Sequence, residues 1–284
     1  MKKTLIIIFA IFPLLTYGQA NKIYRKAIKT TDLKERINLF SEVIKLEPKN
    51  FDAYFYRGIA KNDLGDYNGA IIDYSKIIVF EPDADTYYNR GNSKYSLQDF
   101  EGAKEDYSNA VKLDPSFTDA IYSLGCAKYD LGEYRAAIAD FTNVLNRGLQ
   151  SKVFTLRASA YRALKENKKA LEDYTYVALI TGTSDAYYNR GEFYLSIYNY
   201  RKANDDFSIA LKKNENNSFA YFYRGTTYLL LGNYADAISD FSKTLEFDPT
   251  DFDAMLGLAL SYHKINDFNN AKLNFKKAET KFLL

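Results

Sequence analysis

The pentapeptide YYNRG at residues 87–91 recurs letter for letter at 187–191, and a sister phrase, YFYRG, stands at both 54–58 and 221–225. A chain that writes one phrase four times carries an internal repeat, and a period of roughly 20–50 residues decides the architecture before local propensity does. Counting from Tyr54, equivalent positions fall at Tyr87, Ile121, Phe154, Tyr187, Tyr221 and Met255, in steps of 33 or 34 residues. With this residue as repeat position 4, seven full units start near 51, 84, 118, 151, 184, 218 and 252, after a degenerate unit over 21–50. A repeat needs no single closed core, so residues 21–284 predict one elongated array.

Each unit holds two amphipathic segments, near positions 2–14 and 18–30, with apolar residues at helical spacing. Small residues mark where the two helices must touch. Position 8 is Gly or Ala in every unit (Gly58, Gly91, Gly125, Ala158, Gly191, Gly225, Ala259), and position 20 is alanine throughout, from Ala70 to Ala271. Large residues are expected around that contact: a ring at position 24 (Tyr74, Tyr107, Phe141, Tyr174, Phe207, Phe241, Phe275) and Leu or Ile at position 14. Gly65, Gly132 and Gly232 end the first helix without steric penalty. Pro48, Pro82, Pro115 and Pro249 share position 32, where the second helix must stop. Gly148 and Gly182 replace that proline on either side of the unit starting at 151, which predicts looser junctions there.

The arginine of the phrase has a partner. Arg57, Arg90, Arg157, Arg190 and Arg224 each precede an aspartate by sixteen residues (Asp73, Asp106, Asp173, Asp206, Asp240), a spacing that predicts a structural ion pair between helices. Asp140 has Leu124 where the arginine should be, so it breaks the pairing rule unless it reaches a neighbour.

An aromatic at position 4, Gly or Ala at 8, an aromatic at 17, Ala at 20, an aromatic at 24 and Pro at 32 together resemble the tetratricopeptide repeat family over residues 21–284. The resemblance implies an all-α fold, a right-handed superhelical solenoid of antiparallel helix pairs. It also implies that the first helices line a concave face into which positions 2, 5, 9, 12 and 13 point. That face would carry the rings Phe55, Tyr88, Tyr122, Tyr188 and Phe222, with Asn92, beside the carboxylates Asp52, Asp85, Asp119 and Asp185. An acidic, aromatic trough suits an extended protein segment bearing Lys or Arg. The family's other mode, a clamp on a C-terminal carboxylate, is short of bases, because Lys152, Arg162 and Lys264 are widely separated. An Asp in the first turn also favours the helix dipole whatever the groove does.

The first twenty residues differ from the rest. Lys2 and Lys3 precede an apolar run from Thr4 to Tyr17, then the small residues Gly18 and Ala20. This is the pattern of a cleavable export signal over 1–20, cut after Gly18 or Ala20, and it predicts a periplasmic or extracellular protein with no integral span after cleavage. Removing those two lysines from the 38 basic residues leaves 36, equal to the 36 acids, so no charge excess favours nucleic acid. One Cys (Cys126) and one His (His263) give no material for a multi-residue metal site or a Cys/His pair, and no phosphate-binding or nucleophile motif occurs. The reading is therefore a non-catalytic, cofactor-free scaffold for a protein or peptide, with an envelope glycan-binding solenoid as the alternative and an enzyme behind both. At the far end, Glu279 stands where every other full unit is apolar and Lys272 where Ile71, Ile138, Leu171 and Ile238 stand, although Lys104 and Asn204 share its position, and together they suggest a final helix that meets water. The tail KFLL at 281–284 offers Leu283 and Leu284 to a partner or to a second copy. Lys22, Arg25, Lys26 and Lys29 make the first helix basic, as a solvated cap.

Overall fold

The computed structural model of the chain describes residues 18–148 and 150–282. Residues 1–17 of the expected export signal, and Leu283 and Leu284, lie outside the described residues. Among the described residues there are sixteen helices and no strand. By internal contacts the chain divides into two compact units, one through residue 149 and one from Gln150. The first holds α1 (18–29), α2 (Leu33–Leu46), α3 (Phe51–Asp63), α4 (Tyr67–Ile78), α5 (Ala84–Ser96), α6 (Phe100–Leu113), α7 (Thr118–Asp130) and α8 (Tyr134–Arg147). The second holds α9 (Ser151–Ala163), α10 (Asn167–Thr181), α11 (Ser184–Ser196), α12 (Tyr200–Lys213), α13 (Ser218–Leu231), α14 (Tyr234–Phe247), α15 (Phe252–Lys264) and α16 (Phe268–Phe282). Within each unit, successive helices pack as pairs and each pair stacks on the next.

Close approach within a pair explains the small residues. A Cβ built on Gly58 would sit 2.7 Å from Cε1 of Tyr74, and one on Gly91 would sit 2.7 Å from the same atom of Tyr107. The position-20 alanines from Ala70 to Ala237 are fully buried, and the rings Tyr74, Tyr107, Phe141, Tyr174, Phe207 and Phe241 are at most 4% exposed. Position 14 departs in part from the sequence reading: Ile197 packs against the core, but Leu64, Leu97, Leu231 and Ile265 are exposed, each at the end of its helix or just past it. Short polar caps set the starts: Asp66, Asp99 and Asn199 each accept a backbone N–H from the first turn of the following second helix.

The seven intra-pair turns from α3–α4 to α15–α16 each place one residue in the left-handed region. Gly65, Gly132 and Gly232 do so freely, but Gln98, Lys165, Tyr198 and Asn266 hold φ near +60° at the same repeat position. A Cβ is disfavoured in that conformation by roughly 1–2 kcal/mol, and a freer unfolded chain takes back part of any gain from glycine. Lys165→Gly, at an exposed position, should therefore raise stability by roughly 0.5–1 kcal/mol. A urea midpoint that does not rise would refute this account of the turn.

The arginine of the phrase is resolved fully. Arg57, Arg90, Arg157, Arg190 and Arg224 each donate two hydrogen bonds, 2.6–2.9 Å long, to both oxygens of the predicted aspartate. The guanidinium also lies over the position-4 ring of its own phrase, at 5.4 Å for Arg57 on Tyr54 and 5.6 Å for Arg90 on Tyr87. Its third nitrogen reaches back one repeat, from Arg57 to Ser41, Arg90 to Ser75 and Arg224 to Ser208. One residue thus ties three helices. Asp140 breaks the arginine rule but is paired within its own unit, where Lys128, one turn beyond Leu124 on the same first helix, donates to it at 2.7 Å. Burial pushes the Asp140 carboxyl up against the pull of Lys128.

Candidate binding face of the first helices

Consecutive first helices touch within each unit, α3 with α5, α11 with α13 and α13 with α15. Their shared face therefore carries repeat positions from neighbouring units side by side. Asp52, Asp85, Asp119 and Asp185 are all exposed in the first turns of α3, α5, α7 and α11. None of them caps its helix. Asn50, Asp83 and Thr183 accept the first-turn N–H groups of α3, α5 and α11, so the three carboxylates behind them retain only the weaker dipole role.

The position-5 rings are half-buried and serve packing as well as surface. Phe55, Tyr88, Tyr122, Tyr188 and Phe222 each lie 5.9–6.4 Å from the position-24 ring of their own unit. Tyr88 also meets Phe117 at 4.9 Å, and Tyr188 meets Tyr223 at 5.8 Å. Burial pushes the Tyr122 hydroxyl up to about 12 and raises that of Tyr188, so both stay protonated at neutral pH. Asn92 is committed: its Oδ1 accepts the Tyr107 hydroxyl at 2.9 Å. Arg162, one of the few bases on this face, donates to Glu192 of the next first helix at 3.0 Å.

Sequence reasoning missed the bonds that run from one first helix to the next. Ser93 donates to Asn62 at 2.9 Å, and the Tyr95 hydroxyl donates to Asp130. They join position 10 to position 12 and position 12 to position 13 of adjacent units, 31 and 35 residues apart, so no shared offset marks them in the sequence.

Two clefts open at equivalent places. One, of about 400 Å³, lies where α3 meets the start of α5 and contains Asp52, Phe55 and Asp85. The other, of about 210 Å³, lies where α13 meets the start of α15 and contains Phe219, Phe222 and Asp253. A third, of about 740 Å³, is floored by Phe252, Leu256 and Phe275 and edged by Lys272, Lys276 and Glu279. There the position-24 ring, Phe275, is 38% exposed. Among the described residues no three His, Cys, Asp or Glu side chains are grouped to hold a metal ion, and no helix is long and apolar enough to cross a membrane.

Models of the tetratricopeptide repeat match residues 84–117, 122–187 and 218–251, on helix pairs whose small-residue contacts and rings are those described above. The chain is a tetratricopeptide repeat protein. Solved structures agree on the fold. A tetratricopeptide repeat protein from Parabacteroides merdae is 18% identical with a TM-score of 0.64, covering 87% of this chain and 99% of its own. The C-terminal part of a repeat protein from Cytophaga hutchinsonii is 19% identical with a TM-score of 0.67, covering 85% and 99%. YrrB, described as a TPR protein with an unusual peptide-binding site, is 23% identical with a TM-score of 0.52, covering 64% and 95%. No curated protein matches the sequence. Tetratricopeptide repeats in general serve as protein-interaction scaffolds, and this chain is one of them at that level.

Proposed function

We propose that this scaffold holds an extended segment of another protein along its first-helix face, and that the segment is basic. The observation that carries the reading is the register of Asp52, Asp85 and Asp119 in the first unit, with Asp185 at the same repeat position in the second, all exposed and, among the described residues, uncommitted to any cap or ion pair, beside rings that recur at one repeat position. Such carboxylates attract Lys and Arg, and the adjacent ring faces accept the same cations. A peptide-binding site on YrrB, an array of like fold, is in keeping with it.

Because the position-5 tyrosines also pack the pairs, the carboxylates are the cleaner probe. The fourfold variant Asp52→Asn, Asp85→Asn, Asp119→Asn, Asp185→Asn should fold normally and capture the partner from envelope extract roughly tenfold more weakly than the parent. Capture by the parent should fall as salt rises. Equal capture by parent and variant would rule out the acidic face. A salt-insensitive ligand found on a glycan array would favour the sugar-binding alternative.

The reading also places the protein outside the cytoplasm, on the strength of the export signal. Of the two possible cleavage points, the one after Gly18 is favoured. Gly18 and Gln19 are exposed, whereas Ala20 is fully buried and opens the stripe of Ile23, Tyr24 and Ala27 that packs α1 on α2. Intact mass of the exported protein should correspond to a chain starting at Gln19. A start at Asn21 would contradict a structural role for Ala20.

A further inference from the structure

The fold accounts for four of the five residues in each phrase but not for the difference between YYNRG and YFYRG. Its third letter, repeat position 6, is Asn89 or Asn189 in one phrase and Tyr56 or Tyr223 in the other. Elsewhere that position is Ser123, Leu156 or Gly257, so packing does not demand a ring there. The two tyrosines take the same pose. Tyr56 stacks on Phe40 at 5.9 Å and 16°, and Tyr223 stacks on Phe207 at 6.0 Å and 22°. Each stands edge-on to the phenylalanine before it, Phe55 at 84° and Phe222 at 83°.

An acidic cleft opens at each of these places. Phe51, Phe55 and Tyr56 line the first, and Phe219, Phe222 and Tyr223 line the second. Facing the rings are Asp52, Glu81, Asp83 and Asp85 in one cleft and Asp248, Asp251 and Asp253 in the other. Asp83 and Asp251 are occupied as helix caps, and Asp248 accepts from Thr250. Asp52, Glu81, Asp85 and Asp253 make no ion pair among the described residues, and no Lys, Arg or His lines either cleft. Three aromatic side chains line each cleft, two of them from the pentapeptide, beside three carboxylates without an ion pair in the first (Asp52, Glu81, Asp85) and Asp253 in the second, and this combination selects a cation. The acids are too dispersed for a metal ion. An organic cation fits both walls, its methylene stem along the rings and its charged head at the carboxylates.

We infer that each YFYRG phrase builds an aromatic and acidic cage that receives one lysine or arginine side chain. This rests on the binding-face reading and gives that face two defined pockets. The test is a titration followed by NMR of the ring resonances, with N-acetyl-lysine methylamide against its neutral isostere N-acetyl-norleucine methylamide. The lysine probe should bind the parent protein at least about fivefold more tightly than norleucine, at two sites and with loss at high salt. Tyr56→Asn with Tyr223→Asn, which writes the sister phrase's asparagine, should abolish that preference with the helical signal intact. Asp85→Asn with Asp253→Asn, both exposed, should do the same should the tyrosine pair fail to fold. Equal binding of the two probes, or a preference unchanged in a folded variant, overturns the cages. No partner protein enters the titration, so a lysine preference that persists while the fourfold aspartate variant captures normally would fault the face and leave the cages standing.

Discussion

Arg190→Leu should destabilise its part of the array by roughly 3–5 kcal/mol, whereas the same change at Arg90 should cost only about 1–2. The arginines look interchangeable in sequence, each with its aspartate sixteen residues on. The difference lies four residues downstream. Asp106 is fully buried and takes a second cation, Lys94, at 2.8 Å, so loss of Arg90 leaves it paired. Asp206 is nearly as buried, its side chain 4% exposed, but α11 carries Tyr194 in place of that lysine, and Arg190 is the cation bonded to both its oxygens. Removing it strands a buried charge. The unit starting at 118 already shows the tolerated case, with Leu124 in the arginine's place and Lys128 holding Asp140. Arrays of this kind unfold in parts, so the loss is best read by hydrogen exchange of α11 and α12 together with a urea melt. Equal losses for the two variants would show that the lysine contributes nothing.

The architecture was legible because a solenoid writes its contacts at fixed offsets. Ala70 to Ala271, the rings at position 24 and the Arg to Asp spacing each specify a contact between residues a fixed distance apart, and the structure places them so. What was not legible depends on which of several groups a side chain meets in three dimensions. Lys128 reaching Asp140 follows no offset shared by all units, since its position is lysine in only three of them. The exposure of Leu64 and Leu97 reflects where the helix ends and not their hydrophobicity. For the binding face, the sequence named rings and carboxylates but not their division of labour. Asn92 is used by Tyr107 and the position-5 rings lean on the core, whereas the position-2 acids stay exposed and the third letter of YFYRG, absent from the first reading of the face, lines the clefts.

The other large effect is expected at the ring that fixes the pair. Tyr74 is 1% exposed, and Tyr74→Ala should cost roughly 3–5 kcal/mol, while Phe275→Ala at the same repeat position, 38% exposed on the terminal pair, should cost about 1. Burial alone would predict that contrast. A double-mutant cycle with Gly58 separates the specific contact from mere bulk. With Tyr74 in place, a Cβ at residue 58 falls 2.7 Å from the ring, so Gly58→Ala must push the ring aside and its gain in helix propensity is spent on strain. Ala158 beside Tyr174 shows that such a shift is feasible, which keeps the expected net change near zero or mildly unfavourable. Without the ring the clash is gone, and Gly58→Ala in the Tyr74→Ala background should stabilise by about 1 kcal/mol, the full difference in propensity. The coupling between the two sites should therefore be about 1 kcal/mol or more. Simple additivity would mean that glycine in the repeated phrase answers to something other than the ring that faces it.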